Sequence, residues 1–305
     1  MQALPAPSAD HPQTMILYNG GMWTAQTATD CRRLRRALTG TVAFVPTMGA
    51  LHEGHASLMR HAASLADHVL VSIFVNPTQF GPHEDFAKYP RKLPEDLALC
   101  EQAGVAGVFA PTVDAMYPPD TPECIVEVPA LAADLEGALR PGHFRGVCRV
   151  VAKLFNIVQP EAACFGQKDY QQWKVIQAMT ADLLLPIRIV GCPTCRAPDG
   201  LALSSRNAYL SPEARGRAVA LYRALESARH LVADLGETDP AVVEAAMRQV
   251  LESHQFTVDY AVVRHPQTLA RLDCLEPALT GGVVALIAAR TAGVRLIDNL
   301  LIGAD

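Results

Sequence analysis

The sequence predicts an α/β protein with a doubly wound parallel sheet and a second, smaller α+β domain. Apolar runs in the first half are continuous and do not alternate with polar residues, which is typical of parallel strands covered by helices on both faces. Segments with helical periodicity separate these runs. After Pro198, Asp199 and Gly200 the order changes to two helices followed by strands, which indicates the second domain.

The first strand, helix and strand of the sheet follow from three neighbouring segments. Val42 to Val45 and Val69 to Val75 are apolar strands, and Leu58, Ala62 and Leu65 share one face of the helix predicted between them. The alternation continues with a helix at 94–104, a strand at 105–112, a helix at 144–158, a strand at 161–166, a helix at 170–183 and a strand at 186–194. This order predicts a Rossmann-like domain, whose ligands bind at the carboxyl ends of the strands.

The second domain begins with a long helical segment. Ser211 and Pro212 are typical of an N-cap and a first helical position, and Gly236 of a helix end. A second helix at about 240–254, a strand at 257–264 and two strands joined near residues 291–293 complete the domain. We therefore expect a leader at 1–14 that is disordered, a nucleotide- and substrate-binding domain at 15–193, and an α+β domain at 194–305 that closes over the active site.

Composition excludes several classes of protein. Among 305 residues, 50% are hydrophobic and 19% are charged, so a sizeable core is expected. The net charge of -5 argues against a surface that grips nucleic acid. The longest apolar run, Val283 to Ala289, is far shorter than the roughly 20 residues of a membrane span. Eight cysteines, mostly in apolar segments, fit reduced thiols in a cytoplasmic enzyme, and the pair in "CPTC" has no second pair to complete a zinc site.

The stretch "PTMGALHEGH" at 46–55 carries the first functional signal. It joins an apolar strand to a helix start, where unpaired backbone N–H groups and the helix dipole favour an anion. Gly49 and Gly54 remove Cβ atoms where a ligand would approach, and His52 and His55 share one face of the opening turn. Two histidines around a glycine in this position indicate nucleotide binding, although a lone histidine would more often be a packing residue.

Three further stretches follow strands or precede helices. "LALSSRN" at 201–207 offers hydroxyls and a guanidinium to a polyphosphate, or it is a capping turn. In "CFGQKDYQQ" at 164–172, Lys168 opposes the helix dipole and could neutralise a phosphate. "FVNPTQF" at 74–80 presents Asn76 and Gln79 to a small polar substrate, although such turns also use Asn and Pro for conformational reasons.

Together these stretches resemble the pantoate:β-alanine ligases of the HxGH nucleotidyltransferase superfamily. The resemblance runs from about residue 15 to the C-terminus and rests on "PTMGALHEGH", "NPTQF", "EDFAKYPR", "GHFRGV", "FGQKDYQQ" and "DGLALSSRN" in that order. It implies ATP-dependent condensation of (R)-pantoate with β-alanine through a pantoyl adenylate, with release of AMP and pyrophosphate. It also implies Mg²⁺ as cofactor and a cytoplasmic homodimer that binds neither nucleic acid nor membrane.

The resemblance further implies roles for individual residues. His55 is expected to be the proton donor, assisted in charge stabilisation by His52, Lys168 and Arg206. The implied ATP-binding residues are Met48, Gly49, Ala50, Leu51, His52, Glu53, Gly54, His55, Gly166, Gln167, Lys168, Asp169, Cys195, Leu203, Ser204, Ser205 and Arg206. Gln79 and Gln172 are implied for pantoate, Gln79 and Asn76 for β-alanine, and Asp96 for Mg²⁺, with Leu99 where the family often has a polar residue.

Two other functions fit parts of this pattern. A nucleotidyltransferase acting on a phosphorylated acceptor would need a second basic cluster, where this chain has the uncharged Gln79 and Gln172. A catalytically silent nucleotide- or RNA-binding regulator would not need the complete set of phosphate-facing residues, and the acidic net charge disfavours RNA.

Overall fold

The computed structural model describes residues 16–17, 21–82, 84–275 and 281–303. The predicted leader at 1–14 lies outside these residues. The chain divides into two compact units, the first formed by Met1–Ala132, Glu136–Phe165 and Val175–Cys192, and the second by Ala133–Leu135, Gly166–Lys174 and Pro193–Asp305. In the described part of the chain, no helix is long and apolar enough to span a membrane.

A seven-stranded sheet with the order β1-β2-β5-β4-β3-β6-β7 forms the centre of the first unit. The strands are β1 (Ile16–Leu17), β2 (Trp23–Ala25), β3 (Val42–Thr47), β4 (His68–Ile73), β5 (Gly107–Phe109), β6 (Ala162–Gly166) and β7 (Arg188–Cys192). Strand β1 pairs antiparallel with β2, whereas the pairs from β2 through β5, β4 and β3 to β6 are parallel. The parallel α/β class expected from the continuous apolar runs is confirmed.

Among the described residues, eight helices accompany this sheet in chain order. They are α1 (Ala28–Ala37), α2 (Glu53–Ala63), α3 (Leu93–Gln102), α4 (Val113–Met116), α5 (Pro129–Ala132), α6 (Glu136–Leu139), α7 (His143–Val158) and α8 (Tyr170–Asp182). Helix α3 packs Leu97 and Cys100 into a core that includes Met59 of α2 and Val45 and Val71 of the central strands. This core holds the carboxyl ends of β3 and β4 in place, where the candidate site residues follow.

Helix α1 and strand β2 were not predicted from the sequence, yet both have local signals. Thr27 caps α1, because its hydroxyl accepts a hydrogen bond from the Asp30 N–H at 3.1 Å. Trp23 is buried in β2, and its ring occupies the space that a side chain at Gly107 of β5 would need. The strand is only three residues long, too short for its periodicity to be recognised.

The second unit contains a three-stranded antiparallel sheet in the order β10-β9-β8. Its strands are β8 (Thr257–Arg264), β9 (Val283–Thr291) and β10 (Val294–Ile302), and its helices are α9 (Pro212–Ala218), α10 (Ala220–Arg229) and α11 (Pro240–Ser253). Apolar residues of α10, α11 and the sheet form one core. The predicted Ser211 cap is confirmed, since its hydroxyl accepts from the Ala214 N–H at 3.2 Å.

The helical segment expected between residues 211 and 236 is confirmed in its extent, with an interruption at Val219. Helix α9 ends at Ala218, α10 ends at Arg229, and a π-helical turn covers His230–Asp234. Residues 218 to 221 are all buried in one core, the pattern of a helical segment covered on all sides. Val219 keeps right-handed helical angles, with a φ of -60° and a ψ of -22°.

Candidate functional site

The turn after β3 has its backbone N–H groups satisfied by side chains. Gly49 N–H donates to the Thr47 hydroxyl at 3.2 Å. Ala50 and Leu51 donate their N–H groups to the two carboxylate oxygens of Asp96, at 3.0 and 2.7 Å. A side chain at Gly49 would lie 2.8 Å from the Asp96 carboxylate. The missing Cβ at position 49 therefore makes room for this carboxylate.

The helix start that follows is closed by its two histidines. Gly54 N–H donates to His52 Nδ1 at 3.1 Å, and His52 N–H donates to His55 Nδ1 at 3.3 Å. The two side chains form a reciprocal cap at the start of α2, in the manner of a capping box. The expectation of unpaired N–H groups at this helix start is wrong, because side chains take most of them. An anion here would be met chiefly by side chains.

These caps determine which ring nitrogen carries the proton. A backbone N–H can only donate, so Nδ1 of His52 and of His55 must accept, and each neutral ring carries its proton on Nε2. The ring centroids are 4.2 Å apart, a distance at which two positive charges would repel strongly. Each ring of the pair therefore carries its N–H group on Nε2.

A second polar group follows β4. Asn76 is buried and caps the short 3-10 turn Pro77–Gln79. Its amide donates to Gln79 Oε1 at 2.9 Å and to the Gly146 carbonyl at 3.2 Å, and its oxygen accepts from the Tyr117 hydroxyl at 2.8 Å. Since the donors and acceptor of Asn76 are engaged within the chain, the structure favours a role in orienting Gln79 over direct contact with β-alanine.

Gln79 is thereby brought next to the turn that follows β3. Its Nε2 lies 3.3 Å from Met48 Sδ, in the turn that follows β3. One further N–H and the remaining lone pairs of this amide can serve a ligand. Within the first unit, the structure thus groups Gln79 with Met48, the first residue of the predicted ATP-binding set.

In the second unit, Asn299 of β10 connects to the predicted phosphate-binding segment. Its side-chain amide donates to the backbone carbonyls of Gln167 and Lys168, at 2.9 and 2.8 Å. Lys168 and Asp169 lie in a 3-10 turn just before α8, and Gln172 is in the first turn of that helix. Among the described residues, Lys168 Nζ forms no ion pair or hydrogen bond, so its ammonium group can pair with an anion.

The predicted segments around Cys195 and Ser204 are held together by backbone contacts. Leu203 N–H donates to the Cys195 carbonyl at 2.9 Å, and the Ser204 hydroxyl accepts from the Arg206 N–H at 3.3 Å. The capping interpretation of "LALSSRN" is therefore correct as local structure. Cys195 contacts Leu203 through its backbone carbonyl, and such a contact tolerates many side chains at position 195.

Three comparisons with known proteins bear on this arrangement. The family model described as pantoate-beta-alanine ligase matches residues 23–301. A pantothenate synthetase of Chloroflexus aggregans is 51% identical over 282 residues, which cover 92% of this chain and 100% of the relative. One from Roseiflexus sp. is 50% identical over 91% of this chain and 98% of the relative. The chain belongs to the pantoate-beta-alanine ligase family.

Solved structures agree with this assignment. The crystal structure of pantothenate synthetase from Thermus thermophilus is 47% identical, with a TM-score of 0.85 over 91% of this chain and 98% of that chain. A pantoate-beta-alanine ligase from Francisella tularensis, described as complexed with beta-gamma ATP and beta-alanine, is 33% identical with a TM-score of 0.75 over 91% and 97% of the two chains. The α/β fold with a small antiparallel C-terminal sheet is that of the family.

The ligase does not offer an evident protein-built magnesium site. Asp96 is 2% exposed, and both its oxygens accept backbone N–H groups. Burial raises the pKa of Asp96 above its ordinary value despite these two donors. Glu95 is exposed, and Leu99 supplies no ligand. Among the described residues there is no group of three or more His, Cys, Asp or Glu side chains that could hold a metal, so the residues do not fit a resident Mg²⁺.

Sequence reasoning missed His143 of the ligase, although the motif "GHFRGV" contains it. His143 Nδ1–H donates to the Gln79 carbonyl at 2.8 Å, and Nε2 accepts from Arg140, which forms a bidentate ion pair with Glu84. Burial, with the Arg140 charge beside it, lowers the pKa of His143 to about 4. A side chain at Gly146 would lie 2.2 Å from the Thr78 carbonyl, so α7 packs directly on the Gln79 turn.

Sequence reasoning also missed Asp298 of the second unit. It forms a bidentate pair with Arg196, at 2.6 and 2.9 Å, and is 3% exposed beside Asn299. Arg196 follows Cys195 and pairs with Ala202 in an isolated β-bridge. Strand β10 thus anchors both predicted ATP segments of the second unit. The available signal was the polar pair "DN" inside a mostly apolar strand.

The cysteines of the ligase are all free thiols. Cys192, one of the two in "CPTC", lies on β7 against Cys164 of the neighbouring β6, and this contact with burial raises the pKa of Cys164. Cys192 is thus part of the sheet core of the first unit.

Proposed function

We propose that the chain condenses (R)-pantoate with β-alanine to pantothenate at the expense of ATP, through a pantoyl adenylate. The observation that carries this proposal is the pair His52 and His55, whose Nδ1 atoms accept backbone N–H groups in a chain of this ligase family. The relative from Francisella tularensis, described with an ATP analogue and β-alanine, supports these substrate classes.

The first step activates a poor electrophile. A pantoate carboxylate oxygen attacks the α-phosphorus of ATP, the bond from this phosphorus to the bridging oxygen breaks, and pyrophosphate leaves. Negative charge grows on the departing group, so fixed donors stabilise the transition state more than the ground state. His55 donates through Nε2, assisted by His52, Lys168 and Arg206. Mg²⁺ enters this proposal only as the counterion that ATP carries.

The second step forms the amide. The neutral amine of β-alanine attacks the carbonyl carbon of the adenylate, the bond from this carbon to the phosphate oxygen breaks, and AMP leaves as the amine loses a proton. No covalent enzyme intermediate is needed. Gln79 supplies uncharged donors and acceptors to pantoate and lies beside the β-alanine position, with Asn76 orienting it. Gln172 is the second proposed pantoate residue.

The proposed ATP contacts divide between the two units. Those of the first unit are Met48, Gly49, Ala50, Leu51, His52, Glu53, Gly54 and His55; those of the second are Gly166, Gln167, Lys168, Asp169, Cys195, Leu203, Ser204, Ser205 and Arg206. Gly166 supports this assignment, since no atom of the described chain lies within 4 Å of a Cβ built there. The open space would admit a ligand.

Product analysis tests the proposed reaction directly. The purified chain is incubated with ATP, Mg²⁺, pantoate and β-alanine, and the products are identified by mass. We expect AMP, pyrophosphate and pantothenate in equal amounts, with pantoyl adenylate detectable when β-alanine is omitted. ADP and phosphate as products, or pantothenate without AMP, would reject the adenylate route.

Lys168 is tested by its effect on the first step. Lys168→Ala removes a cation that we assign to the phosphates, so pyrophosphate release should fall by about 100-fold or more. Arg248→Ala, which removes an exposed cation on α11, is the matched control and should retain full activity. An unchanged pyrophosphate burst in Lys168→Ala would remove Lys168 from adenylation.

We also propose that the chain is a cytoplasmic homodimer. Eight free cysteines, five of them buried, suit a reducing compartment. Light scattering coupled to size exclusion would show twice the 32.8 kDa chain mass for the dimer, and a mass of one chain at micromolar concentration would reject it.

A further inference from the structure

We propose that Asp96 is a positioning residue that holds the nucleotide-binding turn in shape, and that it does so in place of binding a metal. The proposal rests on the proposed function of that turn. Both carboxylate oxygens of Asp96 accept backbone N–H groups, from Ala50 at 3.0 Å and Leu51 at 2.7 Å. The side chain is almost fully buried, so these charge-assisted bonds have little competition from water.

The turn needs this support because its backbone conformation is unusual. Gly49 has a φ of 81° and Ala50 a φ of 50°. A left-handed conformation is unfavourable for a non-glycine residue, and it persists only where surrounding contacts impose it. Asp96 contacts the N–H of Ala50 itself and that of the following residue. It is therefore placed to hold Ala50 in this conformation.

The same contacts oppose a metal at these oxygens. Each oxygen faces the partial positive charge of an N–H group, and a divalent cation at the same oxygen would be repelled by that group. Asp96 is also almost fully buried, which leaves little room for the water molecules that Mg²⁺ keeps around it. The carboxylate is thus committed to the backbone, and its charge is used within the chain.

The position of the histidines follows from the turn. His52 is the residue after Leu51, and its ring accepts the Gly54 N–H while its own N–H donates to His55. If the hydrogen bonds to Asp96 are lost, Ala50 and Leu51 are no longer held in place. Both imidazoles then lose their fixed position at the helix start. We therefore expect Asp96 to act on ATP through His52 and His55.

Asp96→Asn tests this role in the full chain. The asparagine amide turns an N–H₂ group towards one of the two backbone donors, so one bond is replaced by a repulsive contact. We expect the Kd for ATP, measured by calorimetry without Mg²⁺, to rise at least about tenfold. Pantoate affinity should stay within about twofold, because the proposed pantoate residues are Gln79 and Gln172. The Mg²⁺ concentration for half-maximal activity at saturating ATP should not change.

Asp67→Asn is the matched control. Asp67 accepts the Thr41 N–H and hydroxyl, both at 2.8 Å, at the amino end of the same strand β3. The Asp67→Asn substitution removes an equivalent carboxylate and leaves the nucleotide-binding turn unchanged. The ATP Kd of this variant should match that of the unsubstituted protein, and an equal loss in both variants would overturn the proposal by showing a general effect of stability.

Gly49→Ala keeps the carboxylate and disturbs the turn. Its Cβ would lie 2.8 Å from Asp96 Oδ2, so it should weaken ATP binding like Asp96→Asn, and the two substitutions combined should cost less than their sum. It also serves as the test if Asp96→Asn does not fold. A metal role would instead leave magnesium-free ATP binding intact and raise the Mg²⁺ requirement. If the unsubstituted protein makes no pantothenate but these ATP affinities differ as expected, the proposed function fails and the positioning role stands.

Discussion

At each end of strand β3, a glycine with positive φ precedes a backbone N–H that donates to an aspartate. At the amino end, Gly40 has a φ of 97° and Thr41 donates to Asp67. At the carboxyl end, Gly49 has a φ of 81° and the two following residues donate to Asp96. A side chain at either glycine would strike the aspartate, at 2.6 Å from Asp67 and 2.8 Å from Asp96.

The surroundings of the two carboxylates differ. Asp67 is exposed, and the hydrogen bonds from Thr41 lower its pKa. Asp96 is buried, and burial raises its pKa despite two donors. The exposed bond pair can exchange with water at small cost, whereas the buried pair cannot. The same local device therefore supports stability at one end of the strand and, in our proposal, ligand binding at the other.

Of the substitutions that compare the two ends of strand β3, His55→Ala should have the largest effect. It would show that residues after the carboxyl end of β3 take part in the chemical step. Loss of the Nε2–H donor should reduce the rate of pyrophosphate formation by about 100-fold, with pantoate affinity within about twofold. Single-turnover kinetics and pantoate calorimetry measure the two quantities. His61→Ala, in the last turn of the same helix, is the control. Equal losses in rate and in pantoate affinity would contradict the role of His55.

Gln79→Ala tests whether a residue that follows the carboxyl end of β4 also binds substrate. Removal of an amide that binds the pantoate carboxylate or hydroxyls should raise the pantoate Kd by about 30-fold, the order expected for lost hydrogen bonds to a charged ligand. The affinity for ATP should change little. Gln102→Ala, at the exposed end of α3, supplies the comparison. Unaltered pantoate affinity in Gln79→Ala would reject the assignment.

Gly40→Ala tests the amino end, where we expect a loss of stability alone. The left-handed φ and the displacement of Asp67 by the new Cβ should together lower the free energy of unfolding by about 1–2 kcal/mol, most of it from φ. Gly104 has a φ of 72°, and no other atom of the described residues lies within 4 Å of the position that a Cβ would take. Gly104→Ala should therefore lower the free energy of unfolding by about 1 kcal/mol. Urea denaturation measures both. The comparison fails if Gly40→Ala alters the ATP Kd in the folded protein.

The smallest effect is a difference in pH dependence between the two aspartates. The lowered pKa of Asp67 stabilises the fold above the ordinary value of 3.8, and this contribution is lost as pH falls through the folded pKa. The raised pKa of Asp96 has the opposite sign, because its ionisation above 3.8 disfavours the fold. Between about pH 3 and 6, the Tm of the unsubstituted protein should rise relative to that of Asp67→Asn. Over the same range it should fall relative to that of Asp96→Asn. Parallel curves would contradict this.

The sequence predicted most of the fold where signals were local. The strand, turn and helix from residue 42 to 63 and the final hairpin follow from apolar runs, glycines and caps. The contacts that shape the site join distant residues: Asp96 and Leu51 are 45 positions apart, and Asn299 and Gln167 are 132 apart. No periodicity reports such pairs. The interruption at Val219 was missed because neither a glycine nor a proline stands at that position.

The close contact between Gly146 and the Thr78 carbonyl limits how this enzyme can be altered. Any side chain at position 146 would push α7 away from the turn that carries Gln79, so this position offers no route to a wider acid substrate range. Redesign would have to work from the other side of the amide network, where Tyr117 donates its hydroxyl to Asn76. Tyr117→Phe keeps the ring and releases one bond of that network, which makes it the mildest starting point for new acid substrates.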